Sequence, residues 1–142
     1  MSEAPPATLP DLVEARAWVG SELDDAAGKA VGRVTGIYAD AESGRPVWLV
    51  LAVGGARRRL PFGRRGAKAI AVPLRECAAM PGRVWTAQEG QAMRNAPSVD
   101  PTRSLLREHE LTICLHYGIG ESVGRHAEVV SRPAGAITGH PV

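Results

Sequence analysis

The stretch Val47-Trp48-Leu49-Val50-Leu51-Ala52-Val53 contains no polar residue. It is far too short to cross a bilayer as a helix. Short length and β-branched content mark it as a strand, with Pro46 as its first residue. A strand with one wet face alternates apolar and polar side chains. An unbroken apolar strand is buried on most of its surface. The chain must therefore fold so that both sides of residues 46–53 are covered.

The flanking sequence supplies more strands. Trp18–Leu23, Val31–Ala39, Ala69–Leu74 and Arg83–Trp85 read as short strands around Pro46–Val53. Asp24-Asp25-Ala26-Ala27-Gly28 and the stretch from Asp40 to Arg45 are polar turns, in which Asp bonds the backbone and Gly admits positive φ. Gly28, Gly32 and Gly36 fall at short spacing on or beside the second strand, which predicts bulges and sharp coiling. Asp11-Leu-Val-Glu14 has capping-box spacing and predicts a helical turn over Leu12–Arg16, placed to cover one end of the sheet. The expected fold class is mainly β: a small barrel from Trp18 to Trp85, followed by two short C-terminal helices.

Those helices are predicted over Thr86–Asn95, from a second capping-box spacing, and over Ser104–Tyr117, with Gly118 as the stop. Leu106, Ile113 and Tyr117 share one helical face, to which Leu105 and Ile119 add, and this face is expected to pack on the barrel. After Gly118 nothing is periodic. The expected organisation is a flexible segment over 1–11, one domain over 12–119 and a flexible tail over 120–142, which suits a chain of 142 residues.

The ordered set of motifs resembles the PRC-barrel domain family. Val19-Gly-Ser-Glu-Leu-Asp-Asp-Ala-Ala-Gly-Lys-Ala-Val-Gly-Arg-Val34 is similar to the family's opening, with a Gly-bearing first strand, an Asp/Gly turn and a Gly-x-Val second strand. Ile37-Tyr38-Ala39-Asp40, Ser43-Gly44, Pro46-Val-Trp-Leu-Val50 and Ala71-Val-Pro-Leu74 continue the likeness in order. Asn95-Ala-Pro-Ser-Val-Asp100 and His116-Tyr117-Gly118-Ile119 are similar to a subgroup in stress-associated bacterial proteins, where two helices follow the barrel. The resemblance spans residues 12 to 119. It implies a non-enzymatic module that docks on a larger assembly, as in the cytoplasmic part of the photosynthetic reaction-centre H subunit and in a ribosome-maturation factor. It carries no catalytic residues. The chain departs from the family pattern at Gly54 to Lys68, which is longer and richer in arginine.

Catalytic and metal motifs are weak throughout. Gly120-Glu-Ser122-Val-Gly124, with His126 nearby, fits G-x-S-x-G, but a nucleophile elbow needs a strand before it and a helix after it. His109 and His116 lie two helical turns apart, and neither they nor His126 and His140 have zinc-ligand spacing. Asp24, Asp25, Asp40 and Glu42 could meet at one end of the barrel, although turn aspartates serve chiefly the turn. Cys77 and Cys114 lack an activating neighbour and read as inert. No cofactor is expected. Trp48 belongs to the core by its place in the apolar run, while Trp18 and Trp85 bracket the barrel, where an exposed Trp can anchor an interface.

The net charge is only +2. Yet Arg57, Arg58, Arg59, Arg64, Arg65 and Lys68 place six cations within twelve residues without an intervening acid. That block is the candidate contact for an anion or an acidic partner. The expected partner is a protein or a second copy of the chain. RNA or the ribosome is the alternative through this loop, although Phe62 is its one aromatic and no basic stripe interleaved with aromatics, as single-strand stacking uses, accompanies it. The start of the chain has no secretory signal, and two distant cysteines suit a reducing compartment, so the expected location is cytoplasmic.

Overall fold

The computed structural model describes residues 10–53, 68–120 and 128–134. Helix α1 (Leu12–Arg16) is the predicted turn, and Asp11 accepts from the Glu14 N–H at 2.9 Å. Strands β1 (Glu22–Asp24), β2 (Ala30–Asp40), β3 (Pro46–Val53) and β4 (Lys68–Pro73) follow. A single 3-10 turn over Leu74–Glu76 leads to β5 (Cys77–Met80) and β6 (Arg83–Thr86). Helix α2 (Gly90–Arg94), strand β7 (Leu105–Leu106), helix α3 (Arg107–Tyr117) and strand β8 (Val129–Ala134) complete the described chain.

β2 organises the sheet. One edge pairs along its length with β3. The other edge is shared: residues Ala30 to Arg33 pair with β1, and Ile37 to Asp40 pair with β8. The register shifts between Val34 and Gly36 and again between Tyr38 and Ala39, so β2 is bulged as its glycines predict. Gly32 has a further cause, because a Cβ there would collide with the backbone carbonyl of Ala52.

The strand order is β4-β3-β2-β1-β6-β5, with β8 on β2 and β7 on β8. The expected closed barrel is corrected here. Among the described residues, β4 and β5 do not pair with each other although they are consecutive, and the sheet is not closed.

Both sides of β3 are covered, as its sequence requires, by two separate cores. Leu49, Leu51 and Val53 enter a first core with Leu23, Ile70 and Val84, into which Ala15 and Met93 also pack. Trp48 and Val50 enter a second core with Tyr38, Leu105, Ile113 and Val130. The period-2 alternation of a strand thus sends alternate residues of one run to opposite cores.

The second core is tied down by polar side chains at its margins. Trp48 Nε1 donates to Glu110 Oε2 at 3.0 Å, and the carboxylate-bearing residue is only 5% exposed. The Tyr117 hydroxyl donates to the Ala71 carbonyl at 2.7 Å. The Tyr38 hydroxyl lies 2.9 Å from the Asp100 carbonyl and 3.1 Å from that of Arg103. Burial pushes the Tyr38 phenol up to about 12, and the Asp100 charge adds to this, so it remains a donor.

Several boundaries differ from expectation. Trp18 lies in the turn after α1, not in β1. Thr86 ends β6 opposite Cys77, and its Oγ1 accepts from the Gln88 N–H at 3.3 Å, so α2 starts only at Gly90. Ser104 does not cap α3, because Leu105 and Leu106 first pair with Ser131 and Val129 of β8. Leu106 is the residue before the helix, and its N–H donates to His109 Nδ1 at 3.3 Å. Gly118 ends α3 at φ 70°, as predicted. Residues 129–134, read from sequence as part of a tail without structure, form β8.

Candidate docking surface

β1, β6 and β5 lie side by side, with Glu22 opposite Arg83, Asp24 opposite Trp85, Trp85 opposite Ala78 and Arg83 opposite Met80. Leu23 and Val84 turn inward to the first core. Alternation therefore puts Glu22, Asp24, Arg83, Trp85, Ala78 and Met80 on the outer face. Trp85 is 39% exposed and Met80 54%. Among the described residues only Val13 and Leu115 are other large apolar side chains so exposed, and they sit singly on helices.

The charges beside this apolar pair are held in place. Arg83 Nε lies 2.8 Å from Asp24 Oδ2, and its terminal nitrogen lies 3.7 Å from Glu22 Oε1. The bond to Asp24 raises the guanidinium pKa further, so the cation persists at any working pH. Beyond Ala78 and Met80 the sheet stops: β5 pairs with no strand but β6 among the described residues. Apolar area, a pinned ion pair and an open strand edge are the parts from which a protein contact is built.

Sequence reasoning singled out Trp85 but missed Met80. Cys77-Ala-Ala-Met80 is poor in β-formers, so it gave no strand signal. The usable signal was Pro81-Gly82, a turn dipeptide. A two-residue hairpin there sets Met80 opposite Arg83 and brings Ala78 beside Trp85. Trp48 is buried, as expected, and Trp18 is half-buried against the first core.

Of the arginine block, Arg57, Arg58, Arg59, Arg64 and Arg65 lie outside the described residues. Lys68 opens β4, and its Nζ donates to the Arg94 carbonyl at 2.9 Å. Ser122, His126 and His140 also lie outside. His109 and His116 serve the helix and its neighbour: His116 Nε2 is 2.7 Å from the Ala92 carbonyl, linking α3 to the α2 turn.

The four turn carboxylates are not brought together. Asp24 and Asp25 lie by the start of β2, Asp40 at its far end and Glu42 in the turn beyond. Among the described residues no group of three acids, histidines or cysteines is placed to hold a metal ion. Asp25 is used locally. Its Oδ1 accepts from the Lys29 and Ala27 N–H groups, each at 2.9 Å, and these bonds pull its pKa below the usual carboxylate range against the cost of burial. A Cβ on Gly90 would stand 2.6 Å from Asp25 Oδ2, so any larger residue there would displace the Asp25 carboxylate.

Burial pushes the Cys77 thiol up to about 12, although the Thr86 hydroxyl opposes the shift, so it is no ready nucleophile. Cys114 is buried on α3. Among the described residues no helix is long and apolar enough to cross a membrane.

A profile of the PRC-barrel domain family matches residues 10–84. The match covers α1 through Val84 of β6, which includes most of the face just described. A comparison with curated proteins found no match.

Proposed function

The chain belongs to the PRC-barrel domain family, and from that premise we propose that it is a non-enzymatic docking module whose contact surface is the open face of β1, β6 and β5. PRC-barrel domains are protein-interaction modules without catalytic function. The observation that carries the reading is the exposure of Trp85 and Met80 on adjacent strands at an open sheet edge. Elsewhere the same sheet covers its large apolar residues. The partner is a protein assembly or a second copy of the chain.

A photoreactive residue at position 85 tests this. It should give a discrete crosslinked product in cells, while the same residue at Leu115, which is 80% exposed on α3, should give none. Sedimentation of the purified chain over a range of concentrations then separates self-association from a foreign partner. Equal, diffuse crosslinking from both positions would refute the assignment of the face.

The arginine block is a second proposed contact, supported by its charge alone. If single-stranded RNA meets it through about four phosphates, log K against log salt should fall with a slope near −3, and replacement of Arg57, Arg58, Arg59, Arg64 and Arg65 by Ser should abolish binding. RNA affinity that the serine variant retains would remove the block from the proposed function.

A further inference from the structure

A concave feature lies at the other end of the sheet's outer face, beside the second core, and is independent of the docking face. After α2, residues 97–106 cross in front of Tyr38 and return as β7. The crossing is tied down at Val99, whose N–H donates to the Ala69 carbonyl at 2.8 Å, and at Asp100 and Arg103, whose carbonyls meet the Tyr38 hydroxyl. Between this crossing and α3 lies a cleft of about 580 Å³. Small-molecule sites commonly enclose about 300–1,000 Å³, with apolar walls and a few convergent polar groups.

Val99 and Leu106 supply half-buried apolar wall, and Leu105, Ile113 and Tyr38 are buried behind it. Arg103 and His109 also line the cleft, and both are exposed. Arg103 feels the Asp100 charge, but the two form no ion pair within 4.0 Å. His109 Nδ1 accepts the Leu106 N–H, so the neutral ring carries its proton on Nε2. Asp100 is the opposing charge. Its Oδ1 takes the Thr102 hydroxyl at 2.7 Å and the Thr102 N–H at 3.0 Å, which hold it ionised below the usual carboxylate range.

We infer that this cleft binds a small monocarboxylate with an apolar body, the carboxylate meeting Arg103 and His109 Nε2 and the body lying on Val99 and Leu106. Guanidinium and imidazole N–H groups match a carboxylate's acceptors. Asp100 disfavours a second negative charge, so a doubly charged phosphate fits less well.

Titration of the isotope-labelled full chain with octanoate, octanol and octylamine, followed by NMR, tests the assignment. Octanoate should shift the signals of Val99, Thr112 and Ile113 saturably, with octanol about tenfold weaker and octylamine weaker still. Arg103→Gln should weaken octanoate about tenfold without moving the thermal midpoint, and so should His109→Gln, whose amide oxygen can still accept the Leu106 N–H that caps α3. Thr112→Trp, at an exposed position on the cleft wall, should block it. Octylamine or octanol binding as tightly as octanoate would overturn the carboxylate assignment. Absence of saturable shifts at millimolar octanoate, or shifts scattered away from the cleft, would overturn the site itself.

Discussion

The two ends of one sheet treat their outer faces differently. Over β2, β3 and β4 the outer face is covered by α3, β7 and β8, and Tyr38, Trp48, Val50 and Ala71 become a second core. Over β1, β6 and β5 no described element covers it, and Trp85 and Met80 stay in solvent. The closed face is apolar, with Tyr38, Trp48, Val50 and Ala71, whereas the open face sets Glu22, Asp24 and Arg83 beside Trp85 and Met80. The covering segment is held by the pairing of β8 with the second half of β2 and by the ties from Tyr38 to the crossing chain. Apolar area on the closed side contributes to folding, whereas on the open side it remains available to a partner.

Removing the cover gives the strongest test of this contrast. A chain ending at Pro101 lacks Leu105, Ile113, Cys114 and Val130, all buried in the second core. At about 1.5–3 kcal/mol per large apolar side chain, the loss rivals the about 5–15 kcal/mol that holds a small domain folded. Such a chain should lose cooperative thermal unfolding, and Trp48 emission should shift to the red. An unchanged melting temperature would show that the cover is not part of the folded unit.

Single substitutions sharpen the same comparison. Ile113→Ala should cost about 2–5 kcal/mol by urea titration, because a buried side chain leaves a cavity. Tyr38→Phe removes only the hydroxyl that holds the crossing chain, and should cost about 1–2 kcal/mol while speeding hydrogen exchange over residues 99–106. On the open face, Trp85→Ser should change stability by no more than about 0.5 kcal/mol, yet remove partner binding. A Trp85→Ser loss as large as that of Ile113→Ala would mean the two faces do not differ.

The smallest expected effect is a pH dependence away from both faces. Asp25 has a depressed pKa in the folded chain, so its contribution is present above the unfolded value of about 3.9 and is lost as pH falls through the lower, folded value. Asp25→Asn should flatten the acid limb of a stability–pH curve below about pH 4 relative to wild type. An identical acid limb in both proteins would assign the acid sensitivity to other carboxylates.

Much of the fold was legible because local chemistry and tertiary need agreed. Pro46–Val53 and Leu12–Arg16 have the bounds that the sequence predicts, since an unbroken apolar run and a capping box leave little choice. The bulges of β2 follow its glycines. Agreement fails where a segment takes its state from a distant partner. Cys77–Met80 is a strand only because β6 folds back on it, and Val129–Ala134 only because β2 has a free half-edge. On α3, Leu106, Ile113 and Tyr117 mark the apolar face, and Ile113 is indeed buried, but Glu110 and Cys114 share the buried side. A glutamate there gives no apolar signal, and its place depends on the indole of Trp48, 62 residues earlier in the chain.

For the candidate sites, the sequence could name Trp85 as an anchor but not its neighbours, and it gave no sign of the cleft. By itself the sequence determined the family, the mainly β class, the two-sided burial of β3 and the position of the basic block. These follow from composition and spacing over a few residues, where steric limits and apolar periodicity act directly. The open ends of the sheet, the division into two cores, the exposure of Trp85 and Met80 on neighbouring strands and the cleft beside α3 were decided only by tertiary structure. Each depends on strand register and helix placement between segments far apart in sequence, and the free energy of such contacts belongs to the pair rather than to either segment alone.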